Sequence, residues 1–228
     1  MTRRPVPHTS MRLLPMTGDS TDVRYDPTLA AEQPLLVTAQ FAVIAALVLL
    51  PLFYVVLPPL QDYPNHLARM DAITVIDHDP LLSGFYEVEW SLIPNLVMDL
   101  IVPPLARYMT VYTAGRVFVG LTFLLLLSGP MALHRALFGR WSAWPLVGGL
   151  FIYNGFLFVG LMNYLFGVGL AVWGLTAMIA LQERPLLLRM AVSTVLILAL
   201  YVCHLYADAP RDRARQRESS TRTDDSGP

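Results

Sequence analysis

Residues 35–69 read LLVTAQFAVIAALVLLPLFYVVLPPLQDYPNHLAR. The apolar run 35–57 has about the length that spans a bilayer, and it stops at Pro58-Pro59. The segment 61–69 then places a carboxylate, an amide, an imidazole and a guanidinium close together. The stretch therefore predicts a spanning helix followed by a polar segment at the membrane surface, where chemistry on a lipid-linked substrate is feasible.

The composition indicates a membrane protein. Of the 228 residues, 55% are hydrophobic and 14% are charged, and the mean hydropathy is +0.51. Soluble domains have about 25% charged residues. A net charge of −1 argues against nucleic acid as a partner. The single cysteine, Cys203, excludes an internal disulfide and a multi-cysteine metal site.

Four more apolar runs follow the first. They predict an all-α fold, a polytopic transmembrane helix bundle with about five spanning helices. The third and fourth runs are separated by Gly160-Leu161 and predict a tight hairpin, and the third is only just long enough to span. The predicted spans are about 35–57, 114–133, 144–160, 162–181 and 190–207.

Charge sets the predicted orientation. The segments 1–34, 134–143 and 182–189 are rich in arginine, whereas the loop 58–113 carries seven acidic residues and two arginines. Cytoplasmic loops carry the excess of basic residues. We therefore expect a cytoplasmic N-terminus, with 58–113 on the outer face. Lys is absent and all 16 basic residues are Arg, a composition typical of a GC-rich bacterial genome, so the predicted location is a bacterial inner membrane.

The outer loop is predicted to contain helices. Residues 62–76 favour one helix. A second, over 92–107, has the pattern of a helix lying in the membrane interface, with Asn95 and Asp99 pointing away from its apolar face. Pro103-Pro104 is expected to end or kink it. The apolar face of this second helix comprises Ile93, Leu96, Val97, Leu100 and Ile101.

The two termini differ from the rest of the chain. Residues 1–34 are polar and proline-rich, and we expect them to be disordered. Residues 208–228 contain ten charged side chains and no large apolar one. Either the natural reading frame is interrupted near residue 207, which would make this a truncated chain with an unrelated tail, or the segment is a genuine disordered tail.

Three side chains at the start of the outer loop are the main candidates for function. In a helix, Asp62, His66 and Arg69 share one face. Asp62 is the predicted catalytic base or, less directly, an oxygen ligand of a divalent cation, and His66 and Arg69 are predicted to bind a phosphate group. The alternatives are structural: Asp62 as a helix N-cap before Pro64, and Arg69 paired with Asp62 or anchored to lipid head groups.

Weaker candidates lie at the ends of later helices. Asn163 and His204 are predicted to face the same side as Asp62 and to bind substrate. The alternatives are a helix-capping role for Asn154 and Asn163, and a hydrated helix end for His204. We find no nucleotide-binding, dinucleotide-binding, zinc or Gly-x-Ser-x-Gly motif, and no cofactor is predicted; a divalent cation has no motif to support it.

The layout resembles the GT-C class of polytopic glycosyltransferases, which includes protein O-mannosyltransferases and lipid A aminoarabinose transferases. An acidic motif opens the first outer loop in that class, and Asp62 matches its catalytic aspartate by position. The resemblance covers about 35–207, the N-terminal half of such an enzyme, and implies a polyprenyl-phosphate-linked sugar donor. Tyr63 stands where a second acid is common, and the next acid is Asp71. The segment 62–69 also resembles a set of bacterial multi-pass proteins without an assigned activity.

Three functions therefore remain open. The first is a GT-C-like transferase acting in the membrane with lipid partners. The second is a non-catalytic membrane protein or an inactive fragment, which truncation would favour. The third is a transporter fragment, against which stands the scarcity of ionisable residues inside the spans, where Arg116 is the clear case and lies near one end.

Overall fold

The computed structural model describes residues 33–91 and 93–203. Every regular element in these ranges is helical, so the predicted all-α fold is confirmed. The elements are α1 (Pro34–Leu49), α2 (Pro51–Tyr54), α3 (Tyr63–Val75), α4 (Pro80–Ser83), α5 (Val97–Ala106), α6 (Val111–Phe138), a 3₁₀ helix (Trp144–Phe151), α7 (Gly155–Val159), α8 (Met162–Ala180) and α9 (Leu186–Cys203).

Four helical segments in the described ranges are long and apolar enough to cross a membrane. They are Pro34–Tyr54, which joins α1 and α2, together with α6, α8 and α9. Their lengths run from 18 to 28 residues, against about 20 needed for a bilayer. The predictions for 1–32 and for 204–228, including His204, fall outside the described residues.

The third predicted span is not a regular α-helix. The 3₁₀ helix Trp144–Phe151 comes first, and α7 follows it after a cap at Asn154. Proline and paired glycines are poor formers of α-helix, which explains the irregular backbone. The segment still packs against α1 and α6. A Cβ on Gly149 would meet the Ile44 and Leu127 side chains, and the Tyr153 hydroxyl donates a hydrogen bond to the Val48 carbonyl.

The helices alternate in direction. Arg116, near the start of α6, donates hydrogen bonds to carbonyls at the end of α2. The Asp62 amide donates to the carbonyl of Val159, at the end of α7. A Cβ on Gly167, near the start of α8, would lie 2.9 Å from the Cβ of Cys203, at the end of α9. These element ends meet at one end of the bundle, here called the loop-bearing end, which contains 54–63, 111, 159–163 and 203.

The centre of the bundle is the packing of α6 against α8. Close approach depends on small residues: a Cβ on Gly169 would lie 2.8 Å from the Cβ of Leu125. Phe118 and Phe166 stack between the same helices with ring centroids 5.2 Å apart. By contrast α9 buries little of its surface, and most of its large apolar side chains are exposed.

The outer loop contains both predicted helices with changed details. The first is present as α3. The second begins at Val97 rather than near 92, and it continues through Pro103-Pro104 to Ala106, so the proline pair does not end it. The expectation that Asp99 points away from the packed face is wrong, because Asp99 is only 3% exposed. Leu100, predicted for the apolar face, is 51% exposed instead. The face of α5 that packs against α3 and α6 therefore differs from the face that the amphipathic pattern predicted.

Candidate functional site at the loop-bearing end

Helix α3 brings the three main candidates to one face, as predicted. It begins immediately after Asp62, and Pro64 in its first turn has the backbone angle that a helix start requires. The positions of Asp62, His66 and Arg69 then follow from the helical repeat. Helix α3 therefore presents a carboxylate, an imidazole and a guanidinium in that order from the loop-bearing end.

A glycine outside α3 fixes where this helix begins. Gly160 has a φ of +93°, and a Cβ there would lie 2.9 Å from the Asp62 backbone nitrogen. The amides of Gln61 and Asp62 donate to the carbonyls of Phe158 and Val159, at the end of α7. The sequence pattern places Gly160 only at the predicted hairpin between the third and fourth apolar runs. The structure places it directly against the backbone of the main candidate residue.

The Asp62 carboxylate contacts side chains and does not cap the helix. It accepts a hydrogen bond from Asn65 Nδ2 at 3.0 Å, and His66 Nε2 lies 3.2 Å from its other oxygen. No side-chain cap hydrogen bond forms at Asp62, so the N-cap alternative does not describe its contacts. The side chain is 47% exposed, which leaves the carboxylate accessible from outside the protein. Asn65 was not among the predicted site residues.

His66 is the partly buried partner of this carboxylate. Burial lowers the pKa of His66 below its ordinary 6.5, and the Arg69 charge lowers it further, whereas Asp62 and Asp99 act in the opposite direction. The imidazole is therefore neutral near pH 7. The imidazole Nε2 therefore contacts the Asp62 carboxylate at 3.2 Å as part of a neutral ring.

Arg69 pairs with a residue that sequence reasoning had placed elsewhere. Its Nη2 lies 2.6 Å from Asp99 Oδ2, so the predicted alternative of pairing with Asp62 is wrong. Burial raises the pKa of Asp99, and the adjacent Arg69 opposes that rise. The guanidinium itself is 46% exposed, so it retains donors for an anion outside the protein. The carboxylate that pairs with Arg69 is thus Asp99, although Asp71 is the next acid after Asp62 in the sequence.

The Asn163 side chain forms hydrogen bonds within the protein. Its Nδ2 donates to the carbonyl and to the side-chain oxygen of Asn95, both at 2.8 Å, and its Oδ1 accepts from the Met98 amide at 2.9 Å. Asn95 has a φ of 71°, a left-handed conformation that asparagine tolerates better than most residues. Asn163 therefore holds the turn that leads into α5, which places Asp99. Asn154 caps α7 through the Leu157 amide, as its structural alternative stated.

A shallow cleft of about 240 Å³ opens beside the Arg69–Asp99 pair. Acidic and aromatic side chains from the segment before α5 face it, including Glu87, Glu89 and Trp90. Within the described ranges no group of three or more histidine, cysteine, aspartate or glutamate side chains is arranged to hold a metal ion. The chemistry that this arrangement offers is proton transfer at Asp62 and anion binding at Arg69.

Comparisons with known proteins give no relative. No protein-family model matches the chain, and no curated protein or solved structure is significantly similar to it.

Proposed function

We propose that this protein is a membrane-embedded glycosyltransferase of the GT-C type that uses a polyprenyl-phosphate-linked sugar donor. The observation that carries the proposal is the half-exposed Asp62 carboxylate at the loop-bearing end, held by Asn65 and His66. A residue that served only to start a helix would direct its oxygens to backbone amides. Asp62 directs its oxygens to side chains and keeps an accessible face.

In the proposed reaction Asp62 acts as a general base. It takes the proton from an acceptor hydroxyl as that oxygen forms a bond to the anomeric carbon of the sugar. The bond between that carbon and the phosphate oxygen breaks, and its electron pair leaves with the polyprenyl phosphate. The exposed side of Arg69 binds the phosphate and stabilises its charge as the bond breaks. His66 positions the Asp62 carboxylate.

The proposal includes a location. The donor's chain lies in the bilayer and its phosphate at the surface, which is where the segment after α2 would meet it. The acidic loop 58–113 and the arginine-rich segments on the other side favour a bacterial inner membrane with the loop-bearing end outside. We take the lipid-linked donor and surrounding membrane lipids as partners, with no cofactor.

The test distinguishes a catalytic base from a helix cap at Asp62. Sugar transfer from a labelled polyprenyl-phosphate donor is measured in membranes that contain the unchanged chain, Asp62→Asn or Asp62→Ala. The control is Asp71→Asn, which changes an exposed carboxylate on the same helix. Both Asp62 variants should lower transfer about 100-fold or more, with normal folded yield, and Asp71→Asn should not.

Two outcomes would count against the proposal. Transfer that survives Asp62→Asn while Asp62→Ala lowers only the yield would assign Asp62 to capping. If the unchanged chain transfers no sugar, the non-catalytic alternative is favoured.

A further inference from the structure

A second feature of the molecule has a lining that shares no residue with the candidate site. An apolar groove of about 380 Å³ runs between the first spanning segment and the first half of α6. Neither α3 nor α5 contributes to its lining. Several side chains that line it are exposed at the surface that would meet lipid, Phe53 at 79% and Val117 at 45%. The lining comprises Leu49, Leu52, Phe53, Thr113, Arg116, Val117, Gly120, Leu121 and Leu124.

Arg116 is the charged member of this lining. It lies five residues after the start of α6, about 8 Å along the helix axis. Among the described residues, no carboxylate is within ion-pair distance of it. A guanidinium without a counter-charge is costly in a spanning helix.

The hydrogen bonds of Arg116 do not compensate that charge. Nη1 reaches the carbonyls of Leu52 and Val55 at 3.4 and 3.3 Å, both longer than the usual N–H···O distance. Nη2 donates to the Thr113 hydroxyl at 3.2 Å. Nε is buried and has no partner within the described part of the chain. The side chain therefore keeps an uncompensated charge in the lining of an apolar groove, held only by long hydrogen bonds.

We propose that this groove binds an anionic glycerophospholipid, with an acyl chain along α6 and the phosphate on Arg116. Charge complementarity requires an anion, and the apolar lining beyond Arg116 requires a hydrocarbon chain attached to it. Inorganic phosphate meets only the first requirement and a zwitterionic lipid only the second. The lipid acts at a site separate from Asp62, so the proposal does not depend on the transferase activity.

The experiment measures lipid-dependent stability of the purified chain in neutral detergent. Phosphatidylglycerol is added, with phosphatidylcholine, inorganic phosphate and a polyprenyl phosphate as comparison ligands, and the shift of the thermal midpoint is recorded against ligand concentration. Phosphatidylglycerol should raise the midpoint, and phosphatidylcholine and inorganic phosphate should not. Polyprenyl phosphate should also raise it through the proposed donor site at Arg69, but that shift should be unchanged in Arg116→Gln. Equal shifts for phosphatidylcholine, or a shift with polyprenyl phosphate alone, would overturn the assignment.

Four variants locate the site. Arg116→Gln should weaken the phosphatidylglycerol response about 10-fold in concentration, while Arg107→Gln, an exposed arginine before α6, should leave it unchanged. Gly120→Leu fills the groove and leaves Arg116 in place. Gly120→Ala is its control, because a Cβ there meets Leu49 and Leu52 at ordinary contact distances of 3.4 and 3.8 Å.

The shift is measured for each variant against its own lipid-free midpoint, so loss of intrinsic stability does not affect the result. Gly120→Leu should remove the response and Gly120→Ala should retain it. A wild-type response in both Arg116→Gln and Gly120→Leu would place the lipid elsewhere.

Discussion

Two turns in the described part of the chain contain a glycine in the left-handed conformation, and they differ in what surrounds that glycine. Gly139, after α6, has a φ of +70°, and a Cβ there would meet only the Arg135 side chain, at 4.0 Å. Gly160, before α8, is enclosed by the backbone of Asp62 and Tyr63. The first turn needs glycine for its own conformation alone. The second needs it also because another element of the fold lies against it.

The same difference extends to the hydrogen bonds around each turn. The turn after α6 closes locally, through the Gly139 amide and the Arg135 carbonyl. At the loop-bearing end the bonds join distant parts of the chain, as when the Leu96 amide donates to the Val202 carbonyl. Residues that must act together need fixed relative positions, which long-range bonds supply. The candidate site lies where such bonds join the end of α7 to the start of α3.

The largest expected effect tests the two glycines directly. Gly139→Ala places a Cβ on a left-handed backbone without a clash, so it should lower the stability by about 1–2 kcal/mol. Gly160→Ala also places a Cβ on a left-handed backbone, and that Cβ clashes with the Asp62 backbone. It should therefore lower the stability by about 2–4 kcal/mol. Thermal midpoints of the two variants in one detergent give the comparison. Equal losses would mean that the contact with Asp62 does not constrain the turn.

The next effect concerns the Arg69–Asp99 pair. Arg69→Gln leaves a buried carboxylate without its cation and should cost about 1–3 kcal/mol. Asp99→Asn leaves a half-exposed guanidinium that water can solvate, so its cost should be smaller, about 1 kcal/mol or less. The thermal midpoint of Arg69→Gln should therefore be lower than that of Asp99→Asn. A larger loss from Asp99→Asn would show that the arginine, not the carboxylate, depends on the pair.

The smallest effect is a dependence on pH. The unfolded chain takes up a proton on His66 near pH 6.5, whereas the folded chain does so at lower pH, because burial lowers the pKa of His66. Protons therefore favour the unfolded state, and stability should fall as the pH drops below 6.5 towards the folded pKa. His66→Gln should lose this part of the pH dependence of the thermal midpoint, and His78→Gln, at an exposed histidine of the same loop, should keep it. A constant gap between wild type and His66→Gln from pH 7.5 to 5 would contradict the assigned shift.

The sequence by itself determined the all-helical fold, with its long apolar helices, and the polar face of α3. Long apolar runs and the helical repeat are local properties, so they can be read without knowing what packs against them. The same reading predicted Asp62, His66 and Arg69 on one face, and the structure agrees. It failed for 144–160 as a regular helix, where proline and glycines change the local backbone.

Only the tertiary structure decided the partners of these residues. Asp99 is 30 positions from Arg69, and Asn163 is 68 from Asn95, so neither contact has a signature in local spacing. The orientation of α5 was set by packing against α3 and α6, which buried a carboxylate that its amphipathic pattern placed outside. The sequence likewise places Gly160 at a hairpin, but only the fold places the Asp62 backbone 2.9 Å from its missing Cβ. Contacts between distant segments depend on how whole helices pack, and that is the physical reason the sequence pattern alone could not supply them.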